Sequence, residues 1–393
     1  MKQGDLTIAE NQTLEKTKSQ LEELKKNYQT FLVQLKEQNP ELAQMISVEP
    51  MKIDSLQKTI PDEVVLLEYF YTNDQIIIWA LKNNCITAKQ INISNDNLFA
   101  LVDSLRNTLE KQGSVDRISK KLYDILIAPV AEALSNAYHV VVVPHGILHY
   151  LPFACLMNEK QAYLIDNFSV SLAPSAMVLN VCTQKGDIFV HDKNWKKNIL
   201  AFGNPDLGDS KFDLPFAELE IESLELLYPE VTSFLRQQAT EQKLKTLGKN
   251  SNLLVFSCHG EFDPLNPLFS ALLLAPEQND DGRLEAHEIF ELNINAYLVA
   301  MSACETGLAK IGVGDEVVGL SRSFIYAGSA SLLSSLWKVD DLATAVLVKR
   351  FFRNLKAGDS RASALQKAQV FVRDNVNVHP NYWSAFNITG DFR

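Results

Sequence analysis

The sequence predicts an α/β protein in which helices cover both faces of a mainly parallel sheet, as in a three-layer α-β-α sandwich. Short apolar runs without polar alternation recur along the chain, such as "YHVVVVP" at 138–144 and "NLLVFSC" at 252–258. Such runs are typical of strands that are buried on both faces. Stretches with helical spacing of apolar residues separate these runs, and strands that alternate with helices favour parallel pairing.

The composition disfavours several function classes. The 393 residues carry a formal net charge of −11, whereas a nucleic-acid surface needs clustered lysine and arginine. No apolar run reaches the ~20 residues that span a bilayer, and the first residues lack a signal-peptide core. We therefore expect a soluble, cytoplasmic protein that contacts neither membrane nor nucleic acid directly. The five cysteines lack paired spacing, and zinc and nucleotide motifs do not occur, so we expect free thiols, no metal and no cofactor.

Residues 1–59 form a polar N-terminal segment that carries one helical stripe. The stripe consists of Leu14, Leu21, Leu24, Tyr28, Phe31 and Leu35, and Asn39-Pro40 is expected to end the helix. Two interpretations remain open, since fewer than four heptads are present. The helix packs on its own domain, or it is a coiled-coil or helical-repeat remnant that contacts a partner.

Two further regions each alternate strands with helices. Residues 60–185 begin with a predicted hairpin, "EVVLLEYFY" and "QIIIWAL", and continue with helices near 96–112 and 116–136. Residues 198–393 contain further predicted strands, among them "NILAFGNP", "AYLVAMSA" and "SASLLSSLW". The polar stretch 184–197 is the expected linker. The two regions are predicted to form two sheets of related architecture, although one continuous sheet would fit the same pattern.

Two of the predicted strands in the second region end in residues that together suggest nucleophilic catalysis. His259 follows "NLLVFSC", and Cys304 follows "AYLVAMSA". Functional residues collect at the carboxyl ends of parallel strands, and a nearby imidazole can convert a thiol into a reactive thiolate. The amides of Gly260 and Cys304 could bind the oxyanion that forms when a thiolate attacks a carbonyl. On spacing alone, an inert buried cysteine and a capping or surface histidine are equally open.

Longer motifs in the same region resemble the CHAT domain, a family of caspase- and separase-like cysteine peptidases. They include "SCHGEF", "GRLEAHEIFEL", "SACETG" and "SSLWKVDD", and the resemblance covers about residues 60–393. It implies a catalytic Cys304–His259 dyad in an active caspase-like domain at 198–393. It also implies that residues 60–185 are a pseudo-caspase-like copy, in which His145 and His149 of "PHGILHY" are relics of the duplicated site.

The resemblance further implies that the substrate binds as an extended peptide along the strand that contains Ser335 and Trp337. Two acidic pairs could select lysine or arginine at the residue before the cut, because a desolvated opposite charge is needed there. One pair is Asp340 and Asp341, and the other is Asp315 and Glu316. For each pair, capping of a helix N-terminus is the alternative.

The expected function is therefore limited proteolysis of a specific protein, which the resemblance places in bacterial signalling or defence. The glycine-rich loop "IGVGDEVVG" could gate the cleft until a partner, docked on the N-terminal helix, orders it. The alternative is a catalytically silent caspase-like scaffold that only binds other proteins.

Overall fold

The computed structural model describes residues 52–190, 195–263, 266–278, 280–302, 304–305 and 319–393, together with Lys16, Thr17, Gln20 and Thr30. For Val190, Cys304 and Glu305 this description covers the backbone. The chain divides into one unit at Met1–Pro50 and a second at Met51–Arg393. The four described residues of the first unit are helical, and the remainder of the predicted N-terminal helix lies outside the described residues.

The second unit contains two β-sheets. Its strands are β1 (Val64–Tyr71), β2 (Gln75–Leu81), β3 (Ile86–Asn92), β4 (His139–Val143), β5 (Ser169–Leu172), β6 (Ile199–Pro205), β7 (Val231–Arg236), β8 (Leu253–Ser257), β9 (His259–Glu261), β10 (Ala271–Leu273), β11 (Arg283–Glu285), β12 (Leu298–Met301), β13 (Cys304–Glu305), β14 (Ser331–Ser335) and β15 (Phe386–Gly390). The larger sheet has 11 strands in the order β3-β2-β1-β4-β5-β15-β14-β12-β8-β6-β7. The smaller sheet has the order β11-β10-β9-β13. Both predicted regions thus share one continuous sheet, the second of the two arrangements that the sequence left open.

The direction of the strands reverses near the middle of the large sheet. β14 pairs with β15 in antiparallel fashion, whereas β15 is parallel to β5. β5, β4 and β1 are parallel to one another, as are β14, β12, β8, β6 and β7. The carboxyl ends of β8 and β12 therefore lie at one edge of the sheet, and those of β4 and β5 lie at the opposite edge.

Helices cover both faces of this sheet. They are α1 (Ile53–Gln57), α2 (Asn95–Glu110), α3 (Asp116–Leu126), α4 (Leu164–Asn167), α5 (Ala176–Val190), α6 (Pro215–Leu227), α7 (Glu241–Leu247), α8 (Ala286–Glu291), α9 (Gly319–Tyr326), α10 (Asp341–Ala357) and α11 (Arg361–Asn375). Successive residues of β1 enter different cores, because side chains alternate along a strand. Val65 packs in the core that includes α2 and α3, whereas Val64 packs in the core that includes Leu179 of α5. The predicted three-layer α-β-α architecture is confirmed. None of the described helices is both long enough and apolar enough to cross a bilayer.

The stretch predicted as a linker begins inside a helix, so that the prediction is wrong for residues 184–190. Gly186 lies within α5, where the sequence suggested a break. A Cβ atom at this position would lie 1.7 Å from Oδ2 of Asp391, so glycine allows the close approach of that carboxylate. Residues 191–194 lie outside the described part of the chain, and β6 begins at Ile199 as expected.

A buried ion pair ties α11 to the end of β15. The guanidinium of Arg361 lies 3.1 Å from Oδ2 of Asp391, and the two side chains are 1% and 0% exposed. Arg361 also donates hydrogen bonds to the carbonyl oxygens of Tyr297 and Arg393 and stacks over the Tyr297 ring, 3.5 Å from its centroid. Because these contacts span three elements, Arg361 holds α11 against the strand ends that surround it.

Candidate active site

The register of the small sheet brings His259 and Cys304 together. β8 and β12 are parallel neighbours, and the chain continues from them into β9 and β13. β9 and β13 pair in parallel, with Cys304 opposite His259 and Glu305 opposite Gly260. Neighbouring strands lie about 4.8 Å apart, so the backbones of the two predicted catalytic residues are adjacent.

A backbone carbonyl fixes the proton on the His259 ring. Nε2 of His259 lies 2.9 Å from the carbonyl oxygen of Phe212. A carbonyl oxygen only accepts hydrogen bonds, so Nε2 carries the hydrogen and the neutral ring keeps its lone pair on Nδ1. The Phe212 ring also contacts the imidazole edge-on, with centroids 5.9 Å apart. Phe212 ends the short helix Ser210–Phe212 after β6, and its role in orienting the histidine had no signal in the sequence.

A cavity of about 30 Å³ lies beside His259, between the strand ends and the helices α6 and α10. Its polar lining comes from several elements: Glu220 of α6, Ser257 of β8, Ser302 after β12, Lys338 after β14, and Asp341 of α10. Cys258 also borders it and is 2% exposed. The cavity places two carboxylates within reach of a group that binds next to the histidine.

Glu220 is the residue of this cavity that sequence reasoning missed. Its Oε2 forms hydrogen bonds with the hydroxyls of Ser302, at 2.6 Å, and of Ser257. Burial raises the pKa of Glu220 to about 7, the two serine hydrogen bonds act in the opposite direction, and the charge of Asp341 adds to the rise. The signal was present, because Glu220 lies on the apolar stripe of α6 that includes Ala217, Ile221 and Leu224.

The predicted substrate-selecting acids take different positions. Asp340 is the N-cap of α10, and its Oδ1 accepts a hydrogen bond of 3.0 Å from the amide of Ala343. Asp341 lines the cavity beside His259. Asp315 and Glu316, like most of the glycine-rich loop that contains them, lie outside the described residues.

Ser335 and Trp337 also differ in their surroundings. Ser335 is buried and borders a second small cavity together with Gly260 and Glu261. Trp337 is 4% exposed and belongs to the main core. Its indole nitrogen donates to the carbonyl oxygen of Asn381, and the guanidinium of Arg106 lies over its ring. The Trp337 side chain is therefore committed to packing, which leaves only its backbone for the predicted contact with a peptide.

His145, in the histidine motif of the first region, lies away from this site. His145 follows β4, whose carboxyl end is at the edge of the sheet opposite to that of β8. Its ring packs against Phe70 and Tyr71, with centroids 4.7 and 4.5 Å away. Within the described residues, no group of three or more His, Cys, Asp or Glu side chains is arranged to hold a metal ion.

Comparison with known proteins identifies the family. The sequence model of the CHAT domain matches residues 116–391, which is well over half of the chain. The chain belongs to the CHAT domain family. The resemblance found in the motifs is thus confirmed, and this CHAT domain match extends back from the predicted active region into the first region.

The chain is similar to curated proteins in sequence and to solved structures in fold. Human Tetratricopeptide repeat protein 28 is 25% identical in an alignment of 330 residues, and the match covers 69% of this chain and 13% of the human protein. The mouse protein of the same name is 23% identical. The chain thus spans only a small part of the curated relatives that it matches. The crystal structure of the Saccharomyces cerevisiae separase–securin complex superposes with a TM-score of 0.57 at 14% identity, over 86% of this chain and 30% of that one. These results confirm the caspase-like fold.

Proposed function

We propose that this CHAT domain is a cysteine endopeptidase with a Cys304–His259 dyad. The observation that carries the proposal is the parallel register that sets Cys304 opposite His259 at the carboxyl edge of the sheet. The hydrogen bond from Nε2 to the Phe212 carbonyl supports it, because it leaves Nδ1 of His259 free of a proton in the neutral ring. Residues 198–393 are then the active region, and residues 60–185 are its silent counterpart.

The proposed reaction proceeds in two steps. His259 takes the proton of the Cys304 thiol, and the sulfur attacks the carbonyl carbon of the scissile peptide bond. The amides of Gly260 and Cys304 donate hydrogen bonds to the oxyanion. His259 then protonates the departing amine, which leaves a thioester on Cys304. A water molecule, deprotonated by His259, hydrolyses the thioester and restores the thiol.

The proposed substrate is a protein that binds as an extended peptide past Ser335, and cleavage is limited to few sites in a signalling or defence setting. We further propose that an activating protein docks on the N-terminal helix and orders the loop at 311–319. Separase from Saccharomyces cerevisiae, which shares this fold, was solved as a complex with securin, and this supports regulation by a partner.

Covalent labelling tests the dyad directly. A peptide chloromethyl ketone that ends in lysine should alkylate the thiol of Cys304 in the full-length protein, because only an activated thiolate at the cleft reacts quickly. Peptide mapping by mass spectrometry should locate the adduct at Cys304 and not at the exposed thiol of Cys85. A silent scaffold would instead show slow labelling, with Cys85 modified at least as fast as Cys304 in the presence and absence of partner proteins.

The variants Asp341→Asn and Asp340→Asn form a matched pair that tests the proposed preference for basic residues before the cut. Asp341→Asn should lower kcat/KM for peptides with lysine or arginine before the cut by about 10- to 100-fold, since it removes a charge from the cavity wall. Asp340→Asn removes the same charge one position earlier, and asparagine caps helices as well as aspartate does. It should therefore leave both stability and kcat/KM nearly unchanged. Equal losses in the two variants would contradict the assignment of Asp341.

A further inference from the structure

Three oxygen atoms form a closed triangle at the base of the cavity beside His259. Oε2 of Glu220 lies 2.6 Å from Oγ of Ser302 and also contacts Oγ of Ser257. The two serine hydroxyl oxygens lie 2.7 Å from each other. Every side of the triangle is thus a hydrogen bond, and Ser257 and Ser302 each lie two residues before a member of the proposed dyad.

A protonated Glu220 satisfies every side of this triangle. Three hydrogen bonds require three hydrogens, and the two hydroxyl groups supply one each. The carboxyl group of Glu220 supplies the third when it is protonated. An ionised Glu220 would draw both hydroxyl hydrogens to itself, and the two serine oxygens would then face each other through their lone pairs. The geometry of the open cavity therefore fits a protonated Glu220, whose side chain is nine-tenths buried or more.

The charged groups around Glu220 determine which ligand would remove this proton. Asp341 faces it from α10, Lys338 from the segment after β14, and His259 and Cys258 from the end of β8 and the start of β9. Burial is the main reason that the proton stays on Glu220, and Asp341 adds to it because it disfavours a second negative charge. Lys338 is exposed. A cation inside the cavity would contact both carboxyl groups and reverse this balance in favour of the ionised form.

A lysine side chain supplies such a cation, because its ammonium is a compact point charge at the end of a flexible stem. The cavity of about 30 Å³ exceeds the space of roughly 10–15 Å³ that a water molecule needs. The cavity therefore admits a lysine ammonium.

We propose that Glu220 recognises a lysine side chain of the substrate, and that the carboxyl group of Glu220 releases its proton when the ammonium enters the cavity. The inference rests on the proposed peptidase function, which identifies the ligand as a residue of a peptide substrate. In the empty site the carboxyl group and the two serine hydroxyls share three hydrogens. On binding, the carboxyl proton passes to solvent, the carboxylate pairs with the ammonium, and both serines donate their hydroxyl hydrogens to Glu220. Lysine recognition is thereby linked to pH.

A binding experiment on the full-length Cys304→Ala variant tests this linkage without any need for catalysis. The probe is n-butylammonium, which reproduces the lysine side chain, and its Kd is measured by NMR titration between pH 6 and pH 8. With a Glu220 pKa of about 7, the ionised fraction rises about tenfold over this range. The affinity should therefore increase about tenfold, because protonation at the lower pH removes the binding charge.

Two carboxyl-to-amide variants separate Glu220 from the other titrating groups. Glu220→Gln in the same background should bind n-butylammonium more weakly and lose the tenfold pH dependence. Glu222→Gln changes an exposed position on the same helix, and this variant should keep the tenfold pH dependence of binding. A Kd that does not change with pH in the Cys304→Ala protein, or a pH dependence that survives Glu220→Gln, would overturn the proposal.

A kinetic comparison in the active protein reports on substrate choice. Glu220→Gln should lower kcat/KM for lysine peptides by about 100-fold and change it only a few-fold for norleucine peptides, which have the same stem without the charge. A purely structural role would lower both equally and would contradict the proposal. Cation binding by a protein that cleaves no peptide would count against the peptidase and not against Glu220.

Discussion

Replacing Cys304 with alanine is expected to reduce kcat/KM for peptide cleavage by about 10⁴-fold or more, because no other group in the proposed mechanism attacks the carbonyl carbon. His259→Ala should cause a loss of similar size, since the thiol of Cys304 then lacks its base. The two residues act as a unit, so the double variant should be no worse than either single variant. Cleavage of a lysine-containing peptide library, followed by mass spectrometry, measures all three losses.

The control for this experiment is Cys85→Ala, which removes an exposed thiol far from the proposed chemistry in sequence. It should retain the activity of the starting protein. Persistent cleavage in Cys304→Ala would remove the basis of the peptidase proposal. Absence of cleavage in the starting protein under all conditions, including addition of partner proteins, would instead favour the scaffold.

Replacing Arg361 with methionine is expected to lower the free energy of unfolding by up to about 3–5 kcal/mol, because it removes one of the two guanidinium partners of a buried carboxylate and leaves only Arg393 to pair with Asp391. Asp391 is 0% exposed, and the two carbonyl oxygens of Tyr297 and Arg393 lose a donor at the same time. Equilibrium unfolding in urea, monitored by tryptophan fluorescence, gives the difference between the variant and the starting protein.

Lys367→Met supplies the comparison for Arg361, since it breaks a pair on the same helix whose lysine is 54% exposed. Exposed pairs contribute about 0–1 kcal/mol, so this variant should unfold close to the starting protein. Arg361→Lys should fall between the two, because an ammonium keeps the charge but cannot reach all the acceptors of a guanidinium. If Arg361→Met and Lys367→Met proved equally mild, burial would not be what makes the Arg361–Asp391 pair important.

The sequence predicted those elements whose patterns are long or strongly apolar. The hairpin of β1 and β2, the buried strand β4 and the helix α2 all lie where the sequence pattern placed them. The same reasoning identified the ends of β8 and β12 as the site, because parallel strands bring such ends to one edge. These features depend on periodicity and on topology rules that act over many residues.

Other features could not be predicted because their causes are local or come from distant contacts. β3 is an edge strand with a mostly exposed surface, so it lacks the apolar signal of a core strand. The strands of the small sheet have two or three residues, which is too short for any period to show. Gly186 stays helical because Asp391 approaches it from far along the chain. Glu220, by contrast, has a signal in the sequence, because a carboxylate on the apolar stripe of a helix needs a partner that stabilises it.

The position of β15 has a consequence for synthesis on the ribosome. This strand is the last of the described elements to be translated, yet it lies between β5 and β14 in the middle of the large sheet. Until β15 has been made, the two halves of the large sheet have no strand to join them. Because β14 pairs with β15 on one side and with β12 on the other, the sheet beside the proposed site is complete only after β15 has folded into place.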